Sequence, residues 1–242
     1  MWKKILDIIF PQFCLNCGRE GSLLCQDCLS LIRIATNQYC PFCSKPVKGM
    51  KCSKHQTMNL DGLFSAAPLE DFILNKAIKK FRSPPFLKEL AEPLAYLIIS
   101  YFELSENRFL KDKRDDSLFI PIPLNKKREK WRGFNQAQEL AVLLSNYYNI
   151  PLSANLFKIK KSRPQRELAL DQRKNNVFNS FALKEPKEVK KKTIFLIDDI
   201  FSSGWTMEEA SKTLKKAGAK EVWGISVARE NLKNYENKRS KI

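Results

Sequence analysis

The sequence predicts an open α/β domain, a mainly parallel sheet with flanking helices, preceded by a small metal-binding module. Three observations carry this. Residues 193–197 and 117–124 are short runs rich in β-branched, aromatic and other apolar side chains, the composition of strands buried on both faces. Stretches with helical spacing, at residues 71–82, 86–102 and 137–144, lie between such runs, as βα units require. All seven cysteines fall between positions 14 and 52, in regularly spaced pairs.

The cysteines stand at positions 14, 17, 25, 28, 40, 43 and 52, and Cys52-Ser-Lys-His55 completes a fourth pair with the CxxC spacing. His55 is the one histidine in 242 residues, and it falls in the eighth donor slot. A CxxC turn aims two thiolates at one point, and two turns complete a tetrahedron suited to Zn²⁺, so four turns imply two structural ions. Sequential pairing puts Cys14, Cys17, Cys25 and Cys28 in one site and Cys40, Cys43, Cys52 and His55 in the other. It is preferred because each half then repeats the same short ribbon; cross-bracing, first pair with third and second with fourth, satisfies the same spacing. The odd cysteine count and the absence of an expected secretion signal argue against disulfides. A ribbon pair of about 50 residues has too little core to fold without metal. The organisation expected is a double zinc ribbon at residues 1–60 and one larger domain at 61–242.

The first ten residues begin basic but are broken by Asp7 and reach Pro11, so they read as neither signal peptide nor membrane span. Residues 94–102 are apolar over far less than the roughly 20 residues a crossing needs. A cytoplasmic protein with reduced thiols is the expectation. Net charge is +17, from 43 Lys and Arg against 26 Asp and Glu. Such an excess suits a polyanionic partner, nucleic acid first and an acidic membrane surface second.

Along the larger domain, residues 62–68 read as a first strand, and the helices at 71–82 and 86–102 as cover for the sheet or a hood over it. Residues 106–117 are charged and poor in apolar side chains, which predicts a surface loop. After the strand at 117–124 comes a loop in which five of the seven residues from 126 to 132 are basic. Gly133 follows, and Asn135 is placed to cap the next helix. Residues 163–181 are polar and basic with scattered apolar anchors, and read as a mobile flap.

The most telling stretch is Phe195-Leu-Ile-Asp198-Asp199-Ile-Phe-Ser202-Ser203-Gly204-Trp205-Thr206, followed by a helical run from Met207. The carboxyl end of a parallel strand is where ligands sit in open α/β sheets, and a helix start with small hydroxyl residues makes an anion pocket. Taken alone, the acid pair could simply cap the helix. A nucleotide hydrolase is excluded by the absence of any Gly-x-x-x-x-Gly-Lys-Ser/Thr loop. A receiver domain is excluded because 43 residues after Asp199 are too few for its remaining βα units.

These residues resemble the phosphoribosyltransferase fingerprint, which implies binding of phosphoribosyl pyrophosphate (PRPP). By that resemblance Asp198 and Asp199 hold the ribose hydroxyls, and Ser202, Ser203, Gly204, Trp205 and Thr206 wrap the 5′-phosphate. Serines stand where threonines are more usual, and Trp205 fills a position that is often small. Ile120-Pro-Ile-Pro-Leu124, Arg132-Gly-Phe-Asn-Gln136 and the series Gln165, Leu168, Arg173, Asn176 and Phe181, together with the acid-pair loop, resemble the ComF family of competence proteins. So does the order of parts, up to the tail after Arg229.

The resemblance implies a type I phosphoribosyltransferase-like fold behind a zinc module, with Mg²⁺ accompanying PRPP. It also implies a role in natural transformation, in which incoming single-stranded DNA is handled. Lys126, Lys127, Arg128 and Arg132 are then candidates for the pyrophosphate or the nucleic acid, and Gln165 and Arg173 for the flap. Expected partners are PRPP, single-stranded DNA, and a competence helicase or recombination protein. The alternative is an active phosphoribosyltransferase of nucleotide metabolism whose acceptor is not legible in the sequence.

Overall fold

Alternation along the strands sorts the protein into layers. The computed structural model describes residues 11–35, 37–43, 45–47, 51–105, 108–159 and 177–230. Its central sheet has four parallel strands in the order β3 (Gly62–Pro68), β8 (Glu221–Arg229), β7 (Thr193–Phe201) and β4 (Ser117–Pro121). Successive side chains of a strand point to opposite faces. Accordingly Phe64, Phe119, Phe195 and Trp223 join one core cluster, while Leu63, Leu118, Ile194 and Val222 join the other.

The first face is covered by α2 (Phe72–Arg82), α3 (Ala91–Leu104) and α6 (Gln136–Tyr148), through residues such as Leu74, Phe81, Leu94, Ile98, Leu140 and Leu144. The second is covered by α7 (Trp205–Lys216), through Met207, Ala210 and Leu214, and by the antiparallel pair β5 (Leu156–Lys158) and β6 (Phe181–Leu183). With apolar side chains buried on both faces, the sheet has the two-sided cover that parallel strands need.

Beyond β4 the chain returns alongside: Phe119 N–H donates to Pro151 O, and Ser153 N–H to Phe119 O, both at 2.9 Å. The connection from β4 therefore runs outward over the first face, whereas that from β7 runs inward over the second face to β8. Between the carboxyl ends of β4 and β7 lies the topological switch point, where such sheets open a crevice.

Three expectations change. The stretch at 106–117 is more than a loop: α4 (Phe109–Asp112) and a 3₁₀ turn at Arg114–Asp116 are helical. Phe109 anchors them, with its ring 4.6 Å from that of Trp223 and 5.4 Å from Phe64. The basic stretch at 126–132 is also a helix, α5 (Lys126–Arg132). Asn125 Oδ1 accepts from Lys127 N–H at 3.0 Å to start it, and Gly133 ends it in the left-handed conformation at φ 82°. The strand carrying the acid pair is longer than its apolar run, and β7 stays paired with β8 through Phe201.

Before the sheet come a five-residue helix, α1 (Gln26–Ser30), and a two-residue hairpin, β1 (Gln38–Tyr39) with β2 (Pro46–Val47). The seam into β3 is tied down on both sides. The Glu208 carboxylate accepts from Asn59 N–H, Asn59 Nδ2 and Leu60 N–H at 2.7–3.1 Å. Asp61 accepts from Val222 N–H at 2.7 Å and pairs with Lys51 at 3.2 Å and Lys215 at 2.7 Å. Among the described residues no helix is long and apolar enough to cross a membrane.

Candidate functional site

A cavity of about 590 Å³ opens at the switch point, within the range of about 300–1,000 Å³ typical of ligand sites. Its floor is the end of β7. Asp198 and Asp199 are neighbours on a strand and so project to opposite sides, yet both line the cavity because the strand ends there. Asp198 Oδ1 accepts from Asp199 N–H, and Asp199 Oδ1 from Ile200 N–H, each at 2.8 Å. The remaining oxygen of Asp199, a residue only 4% exposed, has Arg82 Nε 3.3 Å away. Burial, and then the neighbouring Asp199 charge, push the Asp198 carboxyl well above the usual carboxylate range. The Arg82 charge acts in the opposite sense.

The loop after the strand forms the next wall. Ser202, Gly204 and Thr206 line the cavity, and Gly204 takes φ 79° as the residue before α7. A β-carbon there would sit 2.8 Å from Phe201 Cζ, so both backbone conformation and space call for glycine. Ser203 Oγ is buried with no hydrogen-bond partner among the described residues, an unmet donor inside the loop that the resemblance leads one to expect on phosphate. Thr206 and Met207 bring the first turn of α7 to the cavity, where helix amides and dipole favour an anion.

Cations line the other side. Arg128 and Arg132, four residues apart on α5, face the cavity, whereas Lys126 and Lys127 are exposed and do not line it. Lys79 and Arg82 at the end of α2, and Lys158 at the end of β5, complete the wall. The sequence places Lys79 and Arg82 on a helix expected to cover the sheet or form a hood over it, and gives Lys158 no role. A signal for the first two was present: Lys79 and Arg82 are three apart at the basic end of an amphipathic helix, on one face. Burial, and then Arg128, lower Lys158 to about 8, with Asp198 acting in the opposite sense.

The Arg-Gly-Phe-Asn-Gln block is the frame for this wall. Phe134 packs on Phe81, with ring centroids 5.5 Å apart. Asn135 Oδ1 accepts from Ala137 N–H at 3.1 Å as the cap of α6, and its Nδ2 donates to Ile122 O at 3.1 Å. Gln136 accepts from Arg132 Nη1 and donates to Phe81 O, both at 2.9 Å. One glutamine thus orients Arg132 and grips the residue before Arg82. Gln165 and Arg173 lie outside the described residues.

Away from the cavity, the knuckles assemble in sequential pairs. Donor atoms of Cys14, Cys17, Cys25 and Cys28 lie within 4.8 Å of one another, as do those of Cys40, Cys43, Cys52 and His55. Cys17 and Cys25 sulfurs are 3.6 Å apart, Cys43 and Cys52 sulfurs 3.8 Å, and Cys40 Sγ is 3.4 Å from His55 Nδ1. A tetrahedral ion with bonds of about 2.3 Å to sulfur places its ligands roughly 3.8 Å apart, so both sets fit Zn²⁺. The hydrogen bond from His55 is the leading influence that lowers the Cys52 thiol to about 6, while burial raises Cys40 to about 11.

Two protein families match the two parts of the chain. A family described as a double zinc ribbon domain matches residues 5–57, and one described as a phosphoribosyl transferase domain matches residues 132–241. Competence protein F of Haemophilus influenzae is 30% identical over 227 residues, covering 84% of this chain and 96% of that protein. Competence protein ComFC of Streptococcus pneumoniae is 29% identical, covering 87% of this chain and 89% of its own length. ComFC of Bacillus subtilis is 28% identical, with 81% and 79% covered. A purine phosphoribosyltransferase structure from Pyrococcus horikoshii overlaps 57% of this chain and 71% of its own, at 18% identity and a TM-score of 0.32. That overlap is loose, and the fold assignment rests on the strand order and the family match. With 30% identity over 84% of this chain and 96% of a relative, the chain belongs to the competence protein F (ComF) family.

Proposed function

We propose that the chain binds PRPP, as its Mg²⁺ complex, in the cavity at the carboxyl end of β7, and serves in natural transformation where incoming single-stranded DNA is handled. One observation carries the ligand: an acid pair, a hydroxyl loop at a helix start and a wall of five cations converge on one cavity. That set matches a sugar bearing phosphates at both ends. Asp198 and Asp199 accept from the ribose hydroxyls, and the loop from Ser202 to Thr206 takes the 5′-phosphate, with Ser203 Oγ gaining a partner. Lys79, Arg82, Arg128 and Arg132 face the diphosphate, where Mg²⁺ supplies further positive charge. The biological role is carried by the competence proteins to which the chain is similar.

Calorimetry with Mg-PRPP tests the ligand. Wild type should release or take up heat with saturable binding, and the double variant Asp198→Asn/Asp199→Asn should bind at least tenfold more weakly; a silent wild type would remove the ligand. Pyrophosphate release on adding purine, pyrimidine or amine acceptors would extend the reading to an active transferase, whose contribution at the cavity would be electrostatic. The two donor sets hold two structural Zn²⁺, so metal analysis of purified protein should return two ions per chain.

A further inference from the structure

Helix α5 divides its cations between two sides. Arg128 and Arg132 face the cavity, and Lys126, Lys127 and Lys130 are exposed on the outside. Where the two sides meet stands Trp131, which lines the cavity mouth and is 60% exposed. Its ring is held by Phe86, with centroids 4.7 Å apart and planes at 81°. An indole left open to water forgoes most of the stabilisation that burying a large apolar side chain brings. Contact with one ring fixes its orientation while leaving most of its surface open.

We infer that this rim seats single-stranded nucleic acid, with a base stacked on Trp131 and the flanking phosphates along Lys126, Lys127 and Lys130. An exposed indole set among cations matches a ligand that alternates planar bases with negative charge, and base stacking on an aromatic side chain is tolerant of sequence. A duplex does not fit this seat, because its bases are stacked on one another. The net charge of +17 supplies the long-range attraction. The inference deepens the nucleic-acid half of the proposed function and rests on that half; it does not depend on PRPP binding. Because Trp131 belongs to both the outer helix and the cavity mouth, a strand stacked there runs across the opening.

Fluorescence anisotropy with labelled oligo(dT) and oligo(U), over a range of salt, tests the seat on the zinc-loaded full chain. Trp131→Ala should weaken binding about tenfold, and Trp131→Phe should restore most of it. An oligonucleotide made abasic throughout should bind wild type as poorly as oligo(dT) binds Trp131→Ala, an arm that needs no substitution to fold. The triple variant Lys126→Gln/Lys127→Gln/Lys130→Gln should flatten the slope of log affinity against log salt by about 2. Equal binding of oligo(dT) and the abasic strand, equal binding by wild type and Trp131→Ala, or preference for duplex would each overturn the seat. If wild type binds no strand even at low salt, the nucleic-acid half of the proposed function falls with it. Tighter binding of oligo(dT) or of oligo(U) identifies the source of the strand.

Discussion

The two metal-donor clusters are built from the same knuckle but stand on different foundations. The first is sunk into the main core: Cys14 and Cys28 are each 3% exposed and share a cluster with Leu24, Leu29, Ile32, Phe64 and Ala66. The chain leaving it donates from Ala35 N–H to Ala66 O at 2.7 Å, extending the hydrogen bonding of β3 at its open edge. The second cluster is half exposed at Cys43 and Cys52, and none of its cysteines belongs to that core; it reaches the sheet through side-chain links instead. Arg229 Nη2 donates to Cys40 O at 2.9 Å, and its guanidinium lies 5.7 Å from the ring centres of both Tyr39 and Phe201. Phe201 in turn lies beneath Gly204. The first donor set therefore supports the core, and the second supports the end of the sheet where the loop from Ser202 to Thr206 begins.

Three substitutions and one combination of them test that contrast, in descending order of effect. Cys25→Ser should cost at least ~5 kcal/mol in denaturant unfolding and lose one of two ions, since it removes a ligand and opens the core together. Cys52→Ser should also lose one ion but leave the unfolding of the α/β domain within about 2 kcal/mol of wild type, because local opening spares the core. If the two variants unfold alike, the clusters are equivalent supports and the contrast fails. Arg229→Met should cost about 1–3 kcal/mol by stranding the Cys40 carbonyl. The same change in a Cys52→Ser background should cost less, and strict additivity would mean that Arg229 does not act through the second cluster.

The smallest effect has the opposite sign. Asp198 has a raised carboxyl pKa in the folded protein, against about 3.9 unfolded. Its contribution to stability is complete below that unfolded value and is lost as pH rises through the folded one. Asp198→Asn should therefore raise the melting temperature by a few degrees at pH 7, with the gain vanishing below about pH 4. No gain at pH 7 would show that the acid pair is stably charged without a ligand.

Much of this was legible because its signals are local. Knuckle spacing, the apolar run before Asp198, the hydroxyl loop and the Asn135 cap each lie within a dozen residues. The helix at 126–132 was not, because its side chains are mostly charged and lack an apolar stripe, and its ends are set by Asn125 and Gly133. The roles of Lys79, Arg82 and Lys158 were hidden for another reason: they reach Asp198 and Asp199 from elements 40 to 120 residues away, by packing alone. Likewise Gln136 reads as a helix residue until its bonds to Arg132 and Phe81 are seen.

By itself the sequence determined the composition of each part: eight donors in four equal pairs, an acid pair at the end of a buried strand, and a large positive charge. Those properties depend on spacings of a few residues, which short-range backbone geometry turns directly into turns, strand ends and caps. Only the tertiary structure decided that the knuckles pair sequentially, that the first ion site belongs to the main core, and which cations face the acid pair. Such choices depend on how helices from distant parts of the chain pack across a sheet, and the positions of α2 and α5 along the chain do not encode which of their side chains will meet β7.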